Sequence, residues 1–248
     1  MIGDRDMLAF RHGYYELFVS LLSKEPAGDL LLRLPNGIAK RIEAARNLDA
    51  VLGQGWEEMH RFLSQTPSAE LAESVADEYT RLFIGPYGPK VNPYESFYFT
   101  GRLFDRPLAD LRGFLKTIGI EKKEDYPEPE DSLAFELEVM RWLTAKQLVA
   151  SDDEQEKRRI DEQAAFLKNH LLIWGPTCAR DIEQAKGASF YRGAAMILRA
   201  FLEMENQTLR DWGVQRPISL EEARNRYGAF RQWKGPTFDG NPGGEQKS

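Results

Sequence analysis

Carboxylates gather at one place in the chain, just after two prolines have interrupted it. In Tyr126-Pro-Glu-Pro-Glu-Asp-Ser132 the acids Glu128, Glu130 and Asp131 lead directly into an apolar stripe, Leu133, Leu137, Met140 and Thr144, at helical spacing. Pro127 and Pro129 push the residues before them toward extended backbone, so a helix starts only after them. Acids at a helix mouth have two uses. They can satisfy the unpaired N–H groups and oppose the macrodipole of their own helix. Left exposed, they can pair with the guanidinium forks of a partner.

Other residue types could support catalysis, and each is poorly placed for it. Glu57-Glu-Met-His60 sets a carboxylate and an imidazole one turn apart, the half-motif of a di-iron bundle. The full set needs a second such pair, and neither His12 nor His170 has a glutamate three residues before it. Glu57 and His60 are nevertheless the best available ligands for an alternative reading as a helical metal- or nucleotide-dependent enzyme. Gly53-Gln-Gly55 lies in a helical setting with no preceding strand, unlike a dinucleotide fingerprint, and no phosphate-cradling Gly-rich loop ending in Lys-Ser/Thr occurs. Cys178 is the single cysteine, which rules out an internal disulfide framework and a cysteine-based zinc site. Catalytic residues, metal ligands and a cofactor are therefore expected to be absent.

The elements that must position the acid block read as helices throughout. Apolar periodicity predicts helices over about 5–24, 38–48, 50–64, 68–84, 106–118, 131–150, 177–186 and 188–209. Ser151-Asp-Asp-Glu154 and Ser219-Leu-Glu-Glu222 are capping-box patterns that start two more, the first carrying Phe166, His170 and Trp174, the second ending near 233. A leucine-rich turn is expected over 30–34, and Gly175-Pro176 is expected to break the chain. Strand alternation is absent. The expectation is an all-α chain of about ten helices in one bundle-like domain over 1–215, its N-terminal helices running to about 120 and its C-terminal helices from about 130. A further helix over 216–233 and an unstructured tail over 234–248 would follow.

One loop departs from this pattern. Gly85-Pro-Tyr-Gly-Pro-Lys-Val-Asn-Pro-Tyr-Glu-Ser-Phe-Tyr98 holds three prolines and two glycines, which argue against regular structure, and aromatics that argue against a solvated linker. A long ordered loop of this kind is often functional. Before it, Tyr79, Leu82 and Phe83 share one helix face. Together with the acid block they could form a groove with an apolar floor and carboxylates at one end, suited to a peptide with adjacent basic residues followed by an apolar segment.

The ordered set Tyr79-x-x-Leu82-Phe83-x-Gly85-Pro86, Pro93-Tyr94-Glu95-Ser96, Glu128-Pro129-x-Asp131 and Leu137-Glu138-x-Met140 resembles the TorD/DmsD family, related to the NarJ-type proteins. Phe166-x-x-x-His170-x-x-x-Trp174-x-Pro176 and Phe190-Tyr191 fit the same pattern, and the resemblance covers roughly residues 10–208. It implies an all-helical cytoplasmic chaperone for maturation of molybdenum-containing oxidoreductases. Such a chaperone binds the twin-arginine leader or apoprotein of a catalytic subunit until its molybdopterin cofactor is installed. The resemblance implies Tyr79, Leu82, Phe83, Glu128, Pro129 and Asp131 as leader-binding residues; the groove reading adds Pro86, Tyr94, Glu95, Glu130 and Ser132, with Glu128, Glu130 and Asp131 expected to face the arginine pair. Ser132 stands where the family motif has histidine, so an imidazole role does not carry over; serine can still cap a helix.

Composition bounds the partners. With 33 basic and 39 acidic residues in 248, the formal net charge is −6, which disfavours a broad grip on nucleic acid. No apolar run is long enough to span a membrane, and the N-terminus lacks the basic and apolar regions of an export signal. A monomer or homodimer without stable membrane insertion is expected. A third reading treats the chain as a structural adaptor whose acid block is only a helix cap.

Overall fold

The computed structural model describes residues 4–85 and 88–228. Twelve α-helices follow one another among them: α1 (Asp4–Leu22), α2 (Gly28–Arg33), α3 (Ile38–Leu48), α4 (Ala50–Gln65), α5 (Leu71–Tyr79), α6 (Glu95–Thr100), α7 (Arg106–Thr117), α8 (Leu133–Leu148), α9 (Asp153–Phe166), α10 (Leu172–Gln184), α11 (Phe190–Asp211) and α12 (Leu220–Tyr227). The all-α expectation holds. The β-type pairing among the described residues includes an isolated bridge between Tyr94 and Ser132.

Side-chain caps set several helix starts. Asp49 accepts the Leu52 N–H at 2.8 Å, and Ser219 and Glu222 form a reciprocal capping box on α12. At α9 the cap is Asp152, which accepts from Gln155 N at 2.8 Å, one residue beyond the expected Ser151. A carboxylate there answers the helix dipole as well as the free N–H, so it displaces the neighbouring hydroxyl.

Three local expectations need correction. The leucine-rich stretch forms α2, with Leu31 fully buried, because burying one leucine face outweighs weak intrinsic helicity in six residues. The end of the Pro/aromatic loop is also helical, from Glu95 onward. Gly175-Pro176 does not break the chain. A π-helical turn, Leu167–Leu171, joins α9 to α10, and α10 runs through Pro176. The wider turn changes the hydrogen-bond ladder one turn before the proline, where an ordinary helix would meet its ring. The expected helix over 216–233 is seen as Leu220–Tyr227 and ends there, with Gly228 at φ +99° outside it; residues 229–233 and the tail over 234–248 lie outside the described residues, as does Pro86.

The core is centred on α11, whose buried face includes Phe190, Tyr191, Ile197 and Phe201. It crosses α4 at a pair of glycines. A Cβ on Gly193 would lie 2.6 Å from Met59 N, and one on Gly55 would lie 2.7 Å from Ile197 Cγ1. On α1, Tyr14 stacks on Phe201 (5.3 Å) and Tyr15 meets it edge-on (4.9 Å). Arg11 grips Glu205 with two hydrogen bonds of 2.6 and 2.7 Å, and Tyr15 OH donates to the same carboxylate at 2.7 Å.

Candidate functional site

Tyr79 ends α5, and a π-helical turn over Thr80–Ile84 carries the chain on from it. The neighbouring Glu78 fixes where this segment sits. Its buried carboxylate accepts the N–H groups of Ser189 (2.8 Å), Phe190 (3.1 Å) and Tyr191 (2.8 Å), capping α11 from outside. Tyr79 and Phe83 thus lie with rings 5.1 Å apart, and Tyr191 lies behind Phe83 at 5.3 Å. Leu82 turns inward and is fully buried.

The loop then folds back on the same turn. Lys90 N and Val91 N both donate to Leu82 O, at 2.9 and 3.1 Å. Gly85 makes the reversal at φ +56°, and a Cβ there would lie 2.3 Å from Gly88 O. From Pro93 the chain runs along the acid block. Leu133 N donates to Pro93 O and Glu95 N to Asp131 O, both at 2.8 Å. This short ladder brings two stretches almost forty residues apart in sequence to one place.

The carboxylates have divided roles. Glu128 is half-buried and accepts from Tyr94 OH at 2.7 Å, while Lys122 Nζ holds its backbone carbonyl at 3.1 Å. Glu130 faces the other way, into the guanidinium fork of Arg112 (3.0 and 2.8 Å). Burial acts upward on its carboxyl, but Arg112 outweighs this and holds it below the usual carboxylate range. Asp131 is buried and accepts from Ser96 N at 3.0 Å, capping α6. Ser132 caps α8, its hydroxyl accepting from Phe135 N at 3.3 Å. Pro129 is half-buried and its carbonyl accepts from Ser132 N at 3.1 Å.

These segments enclose a narrow cleft of about 40 Å³. Tyr79, Phe83, Tyr94, Glu128 and Ser132 all line it, together with Leu22, Ile84 and Pro93 among others. Burial pushes Tyr79 up to about 12, and the nearby Glu128 charge adds to the shift. Tyr94 is raised as well, by burial and then by its bond to Glu128. Both phenols are therefore neutral donors at neutral pH. The result is an aromatic slot with one anionic oxygen pair at its edge, which can take an apolar side chain and a cation side by side.

Glu95 is not in the cleft. It points inward to His170 Nδ1 at 3.0 Å, and burial pushes its carboxyl up against the opposing pull of that imidazole. Glu95 Oε2 and Asp131 Oδ1 are buried with no hydrogen-bond partner among the described residues. Glu136 completes this interior group, its two oxygens 3.1 and 3.2 Å from Trp174 Nε1. The partners Arg112 and Glu78 have no local sequence signal, since each acts across many residues of chain, and Trp174 was visible only as part of the 166–176 pattern. Leu22 and Ile84 were legible only as apolar helix positions.

Glu57 and His60 do not converge with other ligands. Glu57 pairs with Arg46 at 2.6 Å, and His60 is exposed. Among the described residues no three His, Cys, Asp or Glu side chains are grouped to hold a metal ion. Cys178 is fully buried, and burial pushes its thiol well up, so it is not a poised nucleophile.

Comparison with known proteins matches residues 45–180 to the family described as nitrate reductase delta subunit, a stretch containing every peptide-binding residue expected from the sequence. The protein named "Chaperone protein TorD" from Photobacterium profundum is 28% identical over 133 residues, which is 53% of this chain and 62% of that protein. Its namesake from Vibrio parahaemolyticus is 26% identical over 141 residues (54% and 64%). That from Aeromonas salmonicida is 30% identical over 136 residues (55% and 61%). The chain thus spans somewhat over three fifths of the length of these curated relatives. The family match covers more than half of this sequence, so the chain belongs to the nitrate reductase delta subunit family, with the TorD proteins as relatives.

Proposed function

We propose that this chain is a cytoplasmic maturation chaperone. It would bind the twin-arginine leader, or the apoprotein, of a molybdenum-containing oxidoreductase subunit and hold it for cofactor insertion. The relatives named as TorD chaperones support the coarser part of this reading. The cleft between the π turn after α5, the loop at 88–94 and the mouth of α8 supports the finer part. The observation that carries it is Glu128, a carboxylate at the edge of an aromatic slot whose hydrogen bond comes from a neutral phenol and not from a cation.

In this mechanism a leader arginine pairs with Glu128 while an adjacent apolar side chain enters between Tyr79, Phe83 and Tyr94. Asp131, Ser132, Glu130 and Pro129 act as positioning residues. Asp131 and Ser132 cap the two helices that meet at the cleft, and Glu130 anchors the loop through Arg112. Leu82 and Glu95 hold the floor from within. No chemical step is required; binding and release suffice. The small cleft volume suits shallow, reversible capture of part of one apolar side chain, with affinity supplied by the rest of the peptide.

Calorimetric titration with twin-arginine leader peptides tests the reading. Glu128→Gln should weaken binding by roughly tenfold, the loss of one charge-assisted pair. A leader whose arginines are changed to glutamine should bind about equally to both forms. Failure of any such leader or its apoprotein to bind, or unchanged affinity in the variant, would overturn it.

A further inference from the structure

A second groove lies between α1 and α3, with Trp56 of α4 lining it, and it shares only its use of α1 with the cleft. It has a volume of about 460 Å³, and the only charged side chain among its lining residues is Arg41. The aromatic surface is already fixed. Trp56 Nε1 donates to Tyr14 OH at 3.0 Å, the Phe10 and Tyr14 rings are 4.6 Å apart, and the Arg41 guanidinium lies 4.8 Å from the Trp56 ring centroid. These contacts use up the indole donor and leave apolar surface facing outward.

Arg41 donates to Leu34 O at 3.1 Å, but no carboxylate lies within ion-pair distance of it among the described residues. Its neighbours differ. Arg33 pairs with Asp29 at 2.8 Å, and Arg46 with Glu57 at 2.6 Å. An arginine left without an acid in an apolar groove marks the groove as complementary to an acidic apolar ligand.

The walls define the shape of that ligand. Ala9 and Gly13 on one side and Ala44 on the other keep the walls low, and a Cβ placed on Gly13 would meet nothing within 4 Å. Ala9 to Leu17 spans about 12 Å at 1.5 Å per residue, a little over two helical turns. Both walls are helices whose backbone groups are paired internally, so an extended strand would find no edge to join. A third helix packed against two low helical walls fits instead.

We propose that this groove receives an amphipathic helix of a partner protein, two to three turns long, with an apolar contact face and a glutamate or aspartate at one end pairing with Arg41. The proposal does not depend on leader binding at the cleft.

The test uses the full chain, labelled with nitrogen-15, and two synthetic 14-residue helices. Both have an alanine/leucine contact face; one has glutamates in its terminal turns and the other has lysines there. The glutamate helix should shift the amide signals of Gly13 and Ala44 and bind about fivefold tighter than the lysine helix, the upper range for a partly exposed ion pair. Arg41→Gln should remove that preference. Gly13→Trp should block binding with an unchanged thermal midpoint, since the site is open. Equal binding of the two helices, shifts centred on Tyr79 and Tyr94, or no shifts at all would overturn the proposal. So would a dimer in sedimentation that Gly13→Trp dissociates, which would assign the groove to a second copy.

Discussion

Glu136 is a carboxyl group whose hydrogen-bond partner in the interior is a single indole N–H. It is fully buried on α8, and the indole N–H of Trp174 is shared between its two oxygens. Burial pushes its carboxyl well above the usual range, with the charges of Glu95 and Asp131 adding to this and the indole opposing it. The folded chain therefore keeps a proton that the unfolded chain gives up. The associated stability is fully present below the ordinary carboxylate range and is lost as pH rises toward the raised value. The slope is at most about 1.4 kcal/mol per pH unit for one proton. Glu136→Gln retains an acceptor for the indole and cannot ionise, so its thermal midpoint should fall less between about pH 4 and about pH 8 than that of the parent chain. Glu95 is also raised, so some slope should remain. Parallel curves for the two proteins would show that Glu136 is not protonated in the fold. At this scale the sequence was readable in part. The acid block was visible at a helix mouth, and Ser132 was visible as a cap. Which carboxylate stays available was not visible, because Arg112 and Ser96, the groups that occupy Glu130 and Asp131, approach only once α6 and α7 have packed.

Among the elements, the reversal at Gly85 controls the cleft. The π turn ends there, with Gly85 N donating to Thr80 O at 2.7 Å, and φ +56° lets the loop return to Leu82. Gly85→Ala would place a methyl group against the Gly88 carbonyl in a backbone conformation that alanine avoids. The loop should then leave its ladder with Leu82, at a cost of about 1–3 kcal/mol. Denaturant unfolding should show that loss, and leader affinity should fall with it because Tyr94 rides on the same loop. Full stability in the variant would mean that the loop does not constrain the fold. Long amphipathic helices such as α4, α7 and α11 were legible from period alone, whereas α8 is buried on nearly every side of its first turns. The short α2 and α6 were not legible, since six residues give too little period, and α6 borrows its cap from Asp131. The π turns were hidden because composition carries no mark of a hydrogen bond shifted by one residue.

Across the whole molecule, the crossing of α4 and α11 sets the distance on which the cleft depends. Glycine in a helix interior normally costs about 1 kcal/mol against alanine, so Gly53 and Gly55 would by themselves weaken α4. The packed structure reverses that meaning at Gly55 and Gly193, where each helix backbone lies against the other. Gly113, by contrast, is a helical glycine in α7 whose added Cβ would meet nothing within 4 Å. Gly113→Ala should therefore stabilise the protein by about 0.5–1 kcal/mol, through helix propensity alone. Gly193→Ala should destabilise it by about 1–3 kcal/mol, because the methyl group has backbone and not a movable side chain in its way. The second change should also reach the cleft. Forcing α11 away from α4 moves the N–H groups of residues 189–191 that Glu78 holds, and Tyr79 is the next residue along α5. Leader affinity should thus drop in Gly193→Ala even at temperatures where the chain remains folded, and stay unchanged in Gly113→Ala. Equal stability of the two variants by denaturant unfolding would remove the α4–α11 contact as the frame of the cleft, and unchanged affinity in Gly193→Ala would remove Glu78 as its link.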